Sequence, residues 1–356
     1  MKINPLNIGD ISLRLPIIQG GMGVGVSLSN LAAAVTNAGG LGVISSAQIG
    51  FKENDFMKDP IATNLKALKK EIKLAKEKCN NGPIGVNIMV ATKEYAKYIK
   101  SAIEAGVDII ISGAGLPTTL PELVKGTSVK IAPIVSSLKA TKVILKLWDK
   151  HYKKTADMIV IEGPKAGGHL GFNKESLKMT SEEFDKSVVD IISEVNKYAK
   201  KYSKEIPVIT AGGVFDGKDI VKYLNLGAKG VQMATRFVTT KECDASDEFK
   251  NAYIRAKKED IVIVKSPVGM PGRALLNPFI KKTKEGKIKI DKCFNCLSVC
   301  NPKDTPYCIT RALVNSVNGN INNGLIFCGE NVYRLNKITT VKELMDELEE
   351  EIINYN

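Results

Sequence analysis

Eight short apolar runs rich in Ile and Val recur along the chain, at residues 16–20, 41–46, 84–90, 108–113, 129–136, 157–162, 207–212 and 229–235. Each has the length of a strand, and most are apolar without alternation, so both faces are expected to be covered, as in a parallel sheet. Around them apolar positions return every three or four residues, at 27–38, 64–79, 94–106, 119–126, 139–154, 181–204, 216–227 and 247–259. That spacing predicts amphipathic helices. Eight strand–helix repeats of this size predict an α/β fold, a (β/α)8 or TIM barrel. Glycines in "AGG" (38–40), "EAGVD" (104–108) and "LGAKG" (226–230) stand just past helices, and Pro83 and Pro207 stand just before strands. The alternative is an open, doubly wound sheet. It needs a G-x-G-x-x-G turn after the first strand and an acidic residue after the second. "GGMGVGVS" (20–27) offers the first only loosely, and "SSAQIG" (45–50) lacks the second.

The repeats end near residue 260, which sets a barrel over 1–260, a smaller cysteine-containing lid or extension over 261–338, and a C-terminal helix over 339–356. Thr340 to Glu343 reads as the capping box that opens this last helix. No apolar stretch of signal-peptide or membrane-spanning length is present, so a cytoplasmic protein without a membrane partner is expected. The net charge of +13, from 51 Lys+Arg against 38 Asp+Glu, favours anionic partners. The cations are spread over polar helix faces, as in "NLKALKKEIKLAKEK" (64–78), so a nucleic-acid partner is not expected.

In a barrel the chemistry gathers at the C-terminal ends of the strands. Those ends carry Gly20, Gly21 and Met22, Asn87, Glu162 to His169, Gly212 and Gly213, and Gln232 to Thr235. Glycine turns after the seventh and eighth strands, with Thr235 beside them, suit the phosphate of a cofactor. A phosphosugar aldolase or isomerase barrel is the competing reading, and it lacks a lysine suitably placed at a strand end. His169 is one of two histidines and sits in "EGPKAGGHLG" (162–171), where the glycines let a ligand approach the backbone. His151, in "LWDKHYKKT", is expected on a helix surface.

"PIIQGGMG" (16–23), "GVN" (85–87), "EGPKAGGHLG", "TAGGVFDG" (210–217), "GAKGVQMATRF" (227–237) and "SPVGMPGRALLNP" (266–278) follow one another at fitting distances. Together they resemble the nitronate monooxygenases and their relatives, the FMN-dependent enoyl-acyl-carrier-protein reductases. The resemblance implies one FMN. Gly20, Gly21 and Met22 would line its ring, Asn87 would contact its polar edge, and Glu162 would also belong to the cofactor site. Gly167 and Gly168 would admit it, and Gly212, Gly213, Gln232 and Thr235 would hold its phosphate and ribityl chain. His169 matches the family's active-site histidine, which acts on a small-molecule substrate. The flavin would be reduced by that substrate or by NAD(P)H, and reoxidised by oxygen or another acceptor. A homodimer is also expected. Lys165 departs from the acidic residue common at its position. It would disfavour imidazolium and favour an anionic substrate or the phosphate of NADPH, and together with the basic surface it favours an acyl-carrier-protein partner.

Five of the seven cysteines lie in the last part of the chain. Cys293, Cys296, Cys300 and Cys308 stand at spacings that suit an iron–sulfur cluster or a zinc ion, and Cys328 follows. A reduced, cysteine-rich lid without metal is the other reading.

Overall fold

The structure, a computed structural model, describes residues 2–173 and 175–355. A hairpin of β1 (Leu6–Ile8) and β2 (Ile11–Leu13) precedes the first barrel strand. The barrel then runs through β3 (Ile17–Gln19), β4 (Gly42–Ser45), β5 (Ile84–Met89), β6 (Ile109–Gly113), β7 (Lys130–Val135) and β8 (Ile159–Glu162). After a two-residue strand outside the barrel, β9 (Gly168–His169), it is completed by β10 (Val208–Ala211) and β11 (Gly230–Met233). The eight parallel strands lie in the order β3-β11-β10-β8-β7-β6-β5-β4, each at one of the positions expected from the apolar runs.

Closure between β3 and β4 is made by few groups. Gln19 N donates to Leu41 O at 2.9 Å, and Leu41 N to Ile17 O at 3.0 Å. The fully buried Gln19 side chain accepts from Val43 N at 3.0 Å, so an amide side chain extends the ladder where the backbones part. Ile18, Val43, Ile109, Ile111, Val160 and Ile209 fill the interior. Leu6, Ile8 and Leu13 of the hairpin join the same cluster and plug the N-terminal end. The opposite end is therefore the one left for a ligand.

The helices form where the apolar period placed them. The second begins earlier than expected, at Pro60, because Asp59 accepts from Ala62 N and proline suits the first helical position. Trp148, fully buried on the helix Leu138–Tyr152, donates from Nε1 to Pro117 O at 3.0 Å. Trp148→Ala is expected to lower stability by about 3–5 kcal/mol, read from urea unfolding, because it opens a large cavity and strips a carbonyl of its donor.

The helix Val341–Asn354 is capped by Thr340 and Glu343 as its sequence predicts. It buries Val341, Leu344, Met345, Leu348 and Ile352 in the core shared by the barrel helices. Its polar face is tied down by Arg14–Glu349 (2.5 Å) and Arg236–Glu347 (2.8 Å).

Between barrel and terminal helix lie β12 (Ile261–Lys265), β13 (Pro271–Leu275) and the helices Pro278–Glu285 and Ile309–Val317. β12 and β13 form an antiparallel pair, and β13 pairs in turn with β9, Gly272 opposite His169 and Arg273 opposite Gly168. The strand pairing thus ties the lid to the glycine turn of the barrel.

Candidate active site

A cavity of about 270 Å³ opens at the C-terminal rim, just below the usual range of roughly 300–1,000 Å³ for small-molecule sites. All twelve residues that the resemblance assigns to cofactor or substrate line it: Gly20, Gly21 and Met22 after β3, Asn87 on β5, Glu162, Gly167, Gly168 and His169 after β8, Gly212 and Gly213 after β10, and Gln232 and Thr235 after β11. His151 is exposed near the end of its helix, as expected.

The glycines do different things. A Cβ on Gly21 would lie 2.4 Å from Asn87 Cβ, so only glycine lets the β3 end and β5 meet there. Gly212 and Gly213 have φ of +93° and +87°, a backbone that L side chains rarely adopt. Gly168, at φ +71°, has open space where a Cβ would stand. Beside Gly167 that space is taken by the lid backbone, with Cys328 C and O at 2.6 Å.

His169 Nε2 lies 2.7 Å from Ser266 Oγ, and its ring meets Phe327 edge-on at 4.9 Å. Ser266 Oγ also accepts from Val268 N at 3.3 Å. Donating its own proton to Nε2 satisfies the hydroxyl and leaves Nδ1–H as the ring's donor. Burial pushes the imidazole down to about 4. Lys165, exposed at the cavity rim, is not among the causes of that shift, so burial takes the part expected of its charge. Glu162 Oε2 accepts from Gly171 N at 2.9 Å and lies 3.5 Å from Ser136 Oγ. Burial raises this carboxyl to about 7 against those two donors.

The two shifts act oppositely on stability. His169 is neutral when folded, so its contribution is complete above its ordinary 6.5 and is lost as pH falls toward 4. Glu162 favours its protonated form when folded, so its contribution is complete below its ordinary 4.5 and is lost as pH rises through 7. Relative to the wild-type protein, Glu162→Gln should therefore gain thermal stability as pH rises from 4.5 to 7. His169→Asn should lose it as pH rises from 4 to 6.5. Parallel difference curves would show that one of these burial effects is absent.

Several site residues lay beyond the sequence reading. Ser266 and Phe327 reach His169 from the lid. Arg273, buried on β13, bonds Ala166 O and pairs with Glu330 at 3.3 Å, fixing the glycine turn. Asn331 donates to Gly213 O at 2.7 Å. Ser266 and Arg273 stand within "SPVGMPGRALLNP", but nothing linear marked them, Phe327 or Asn331 as part of the site.

A glycine-lined stretch of rim beside a corner of positive-φ glycines fits a flat, phosphate-bearing cofactor, and the residues present are compatible with FMN. Among the described residues, no group of three or more His, Cys, Asp or Glu is placed to hold a metal ion. No described helix is long and apolar enough to cross a membrane.

Fold and site together define an oxidoreductase built on an α/β barrel. The nitronate monooxygenase family model matches residues 5–351, and the chain belongs to that family. It is 29% identical over 308 residues to a probable nitronate monooxygenase of Staphylococcus saprophyticus, covering 80% of this chain and 82% of that one. It is 28% identical over 276 residues to a hydroxy-methyl-oxo-octahydroindene-carboxyl-CoA dehydrogenase of Mycobacterium tuberculosis, covering 78% and 67%. Among solved structures, FabK from Thermotoga maritima superposes with a TM-score of 0.72 at 27% identity, covering 96% of this chain and 93% of that one. The family implies a flavoprotein that uses FMN.

Proposed function

We propose that the protein oxidises small nitronates with FMN, and that His169 holds the substrate. The observation that carries this reading is the half-buried imidazole on the cavity wall, held at Nε2 by Ser266 with Nδ1 left as its donor. A ring that protonates only near pH 4 is a weak base toward a C–H proton. It is a good neutral donor, and a pre-formed nitronate needs a hydrogen bond to its oxygens, not removal of a proton. His169 Nδ1–H orients that anion, while Ser266 fixes the ring and Phe327 excludes water from one edge. Gly20 and Gly21 leave room for the cofactor, and Gly212, Gly213, Gln232 and Thr235 hold its phosphate end. FMN, when bound, supplies the two-electron acceptor, which molecular oxygen then regenerates.

Lys165 favours a second reading. Its ammonium stands exposed at the cavity mouth, where the phosphate of NADPH or an acidic acyl carrier protein would approach. In that case the flavin is reduced by NAD(P)H and the reaction is enoyl-thioester reduction.

Anaerobic mixing separates the two. Bleaching of the bound flavin by a propyl nitronate, faster than by the neutral nitroalkane and without pyridine nucleotide, is the expected result. Bleaching by NADPH alone, reversed by an enoyl thioester, would replace the first reading with the second.

A further inference from the structure

We propose that Cys293, Cys296, Cys300 and Cys308 form a tetrathiolate metal centre in the lid, holding an iron–sulfur cluster or a zinc ion next to the His169 end of the cavity. The proposal stands on the lid's own residues, independently of the substrate assigned above.

The segment that carries these cysteines is unusual. Between the helices Pro278–Glu285 and Ile309–Val317 there is no helix or strand among the described residues. Loops beyond roughly 12–15 residues without structure of their own are uncommon in compact domains unless they serve a function. This one nevertheless has a defined path. Phe294 stacks on Phe56 at 5.4 Å, Lys93 N donates to Cys296 O at 3.2 Å, and Ser298 N to Ala91 O at 2.9 Å. All four thiols are unpaired by disulfides.

Cys293 already accepts a backbone hydrogen bond, and Cys296 stands beside a buried hydroxyl that has no partner among the described residues. Asn295 N donates to Cys293 Sγ at 3.4 Å, across a chain reversal at Asn295 with φ +51°. Cys308 stands at the N-cap of the helix Ile309–Val317, where its thiol makes no cap hydrogen bond. The Thr310 hydroxyl lines one small chamber with Cys296. That hydroxyl, on a residue 1% exposed, completes no hydrogen bond among the described residues. Neutral thiols are poor acceptors, whereas metal-bound thiolates are the acceptors such donors fit.

A cation is also what the charges call for. Metal-bound thiols are thiolates, and four thiolates held in one short segment repel one another unless a positive centre stands between them. Lys287, Lys289, Lys292, Lys303 and Arg311 surround the segment against Asp291 and Asp304, a balance that offsets the negative charge of a tetrathiolate centre. No three of these side chains converge on a metal position as they stand, so binding entails rotation of the thiols. Cys296 and Thr310 line a small chamber with His169, which places the centre against the substrate side of the site.

The test is metal and acid-labile sulfide analysis of full-length protein purified without oxygen, with its visible spectrum and its electron paramagnetic resonance after dithionite. Roughly four irons and four sulfides per chain, or about one zinc, support the proposal and tell the two centres apart. Cys293→Ser and Cys300→Ser should each lower the metal content at least tenfold, whereas Cys79→Ser, in the barrel layer, should leave it unchanged. Circular dichroism and cooperative unfolding of the serine variants separate loss of ligation from loss of fold. Protein that holds neither iron nor zinc, even after anaerobic reconstitution with ferrous iron and sulfide or with zinc, overturns the proposal. The readout is metal content, so this result is independent of which substrate reduces the flavin.

Discussion

His169→Ala is expected to lower kcat/KM for a nitronate by about 100- to 1,000-fold while leaving FMN content unchanged. The size follows from losing a hydrogen bond to the nitronate's charge, about 1.5–3 kcal/mol, together with misplacement of the substrate, of order 100-fold. The side chain is separable from the fold at this position. Gly168 and His169 pair with β13 through backbone groups only, Gly272 opposite His169 and Arg273 opposite Gly168. Truncation therefore leaves the strand in place and removes the ring between Ser266 and Phe327. His169→Asn, with a shorter donor, should recover part of the loss. Ser266→Ala should act more weakly, because Ser266 fixes the ring without reaching the substrate, and should show mainly as a fall in kcat. The wild-type pH profile carries a further check. With the imidazole pushed down to about 4, no histidine ionisation should bend kcat/KM between pH 5 and 8. An unchanged kcat/KM in His169→Ala, with flavin bound, would remove His169 from the reaction.

The barrel was legible because its signal is local. Runs such as Ile109–Gly113 and Ile159–Glu162 are buried on both faces, and continuous apolar runs say so without reference to any partner. The rim was legible for a related reason: glycines with positive φ, such as Gly212 and Gly213, cluster at strand ends whatever the rest of the fold does. The lid is a matter of long-range pairing. Ile261–Lys265 is a strand that the apolar runs did not place, and nothing in it reveals that its partner β13 also pairs with Gly168–His169. Ser266 lies 97 positions from the histidine it orients. Gly167 shows the limit most clearly. The sequence placed it beside Gly168 as a second opening for the cofactor, and in the structure its neighbour at the Cβ position is the backbone of Cys328 and Gly329. A glycine requirement is visible in a sequence, but what approaches the glycine is not.

That close approach makes Gly167→Ala the sharpest test of how the lid serves the site. The added methyl would stand 2.6 Å from Cys328 C and O and 2.7 Å from Gly329 N, all backbone atoms with no rotamer to yield. The strap cannot easily retreat. Cys328 N is bound to Arg273 O at 3.1 Å, Glu330 N to Lys165 O at 3.2 Å, and Asn331 Nδ2 to Gly213 O at 2.7 Å. Forced packing of this kind costs about 1–3 kcal/mol, and here it falls on the strap over the Gly213–Thr235 corner. Expressed as affinity, FMN should bind roughly 5- to 150-fold more weakly, at about 1.4 kcal/mol per tenfold. Protease should also cut within 261–338 sooner, while the barrel, whose core the strap does not enter, keeps its cooperative unfolding. Gly168→Ala is the contrast. No atom lies within 4 Å of its Cβ position, and its cost is only the strain of φ +71°, about 1–2 kcal/mol. It should disturb the orientation of His169, and so kcat, more than cofactor affinity. If Gly167→Ala binds FMN within twofold of wild type, the strap does not close the phosphate corner, and cofactor retention rests on the barrel strands alone.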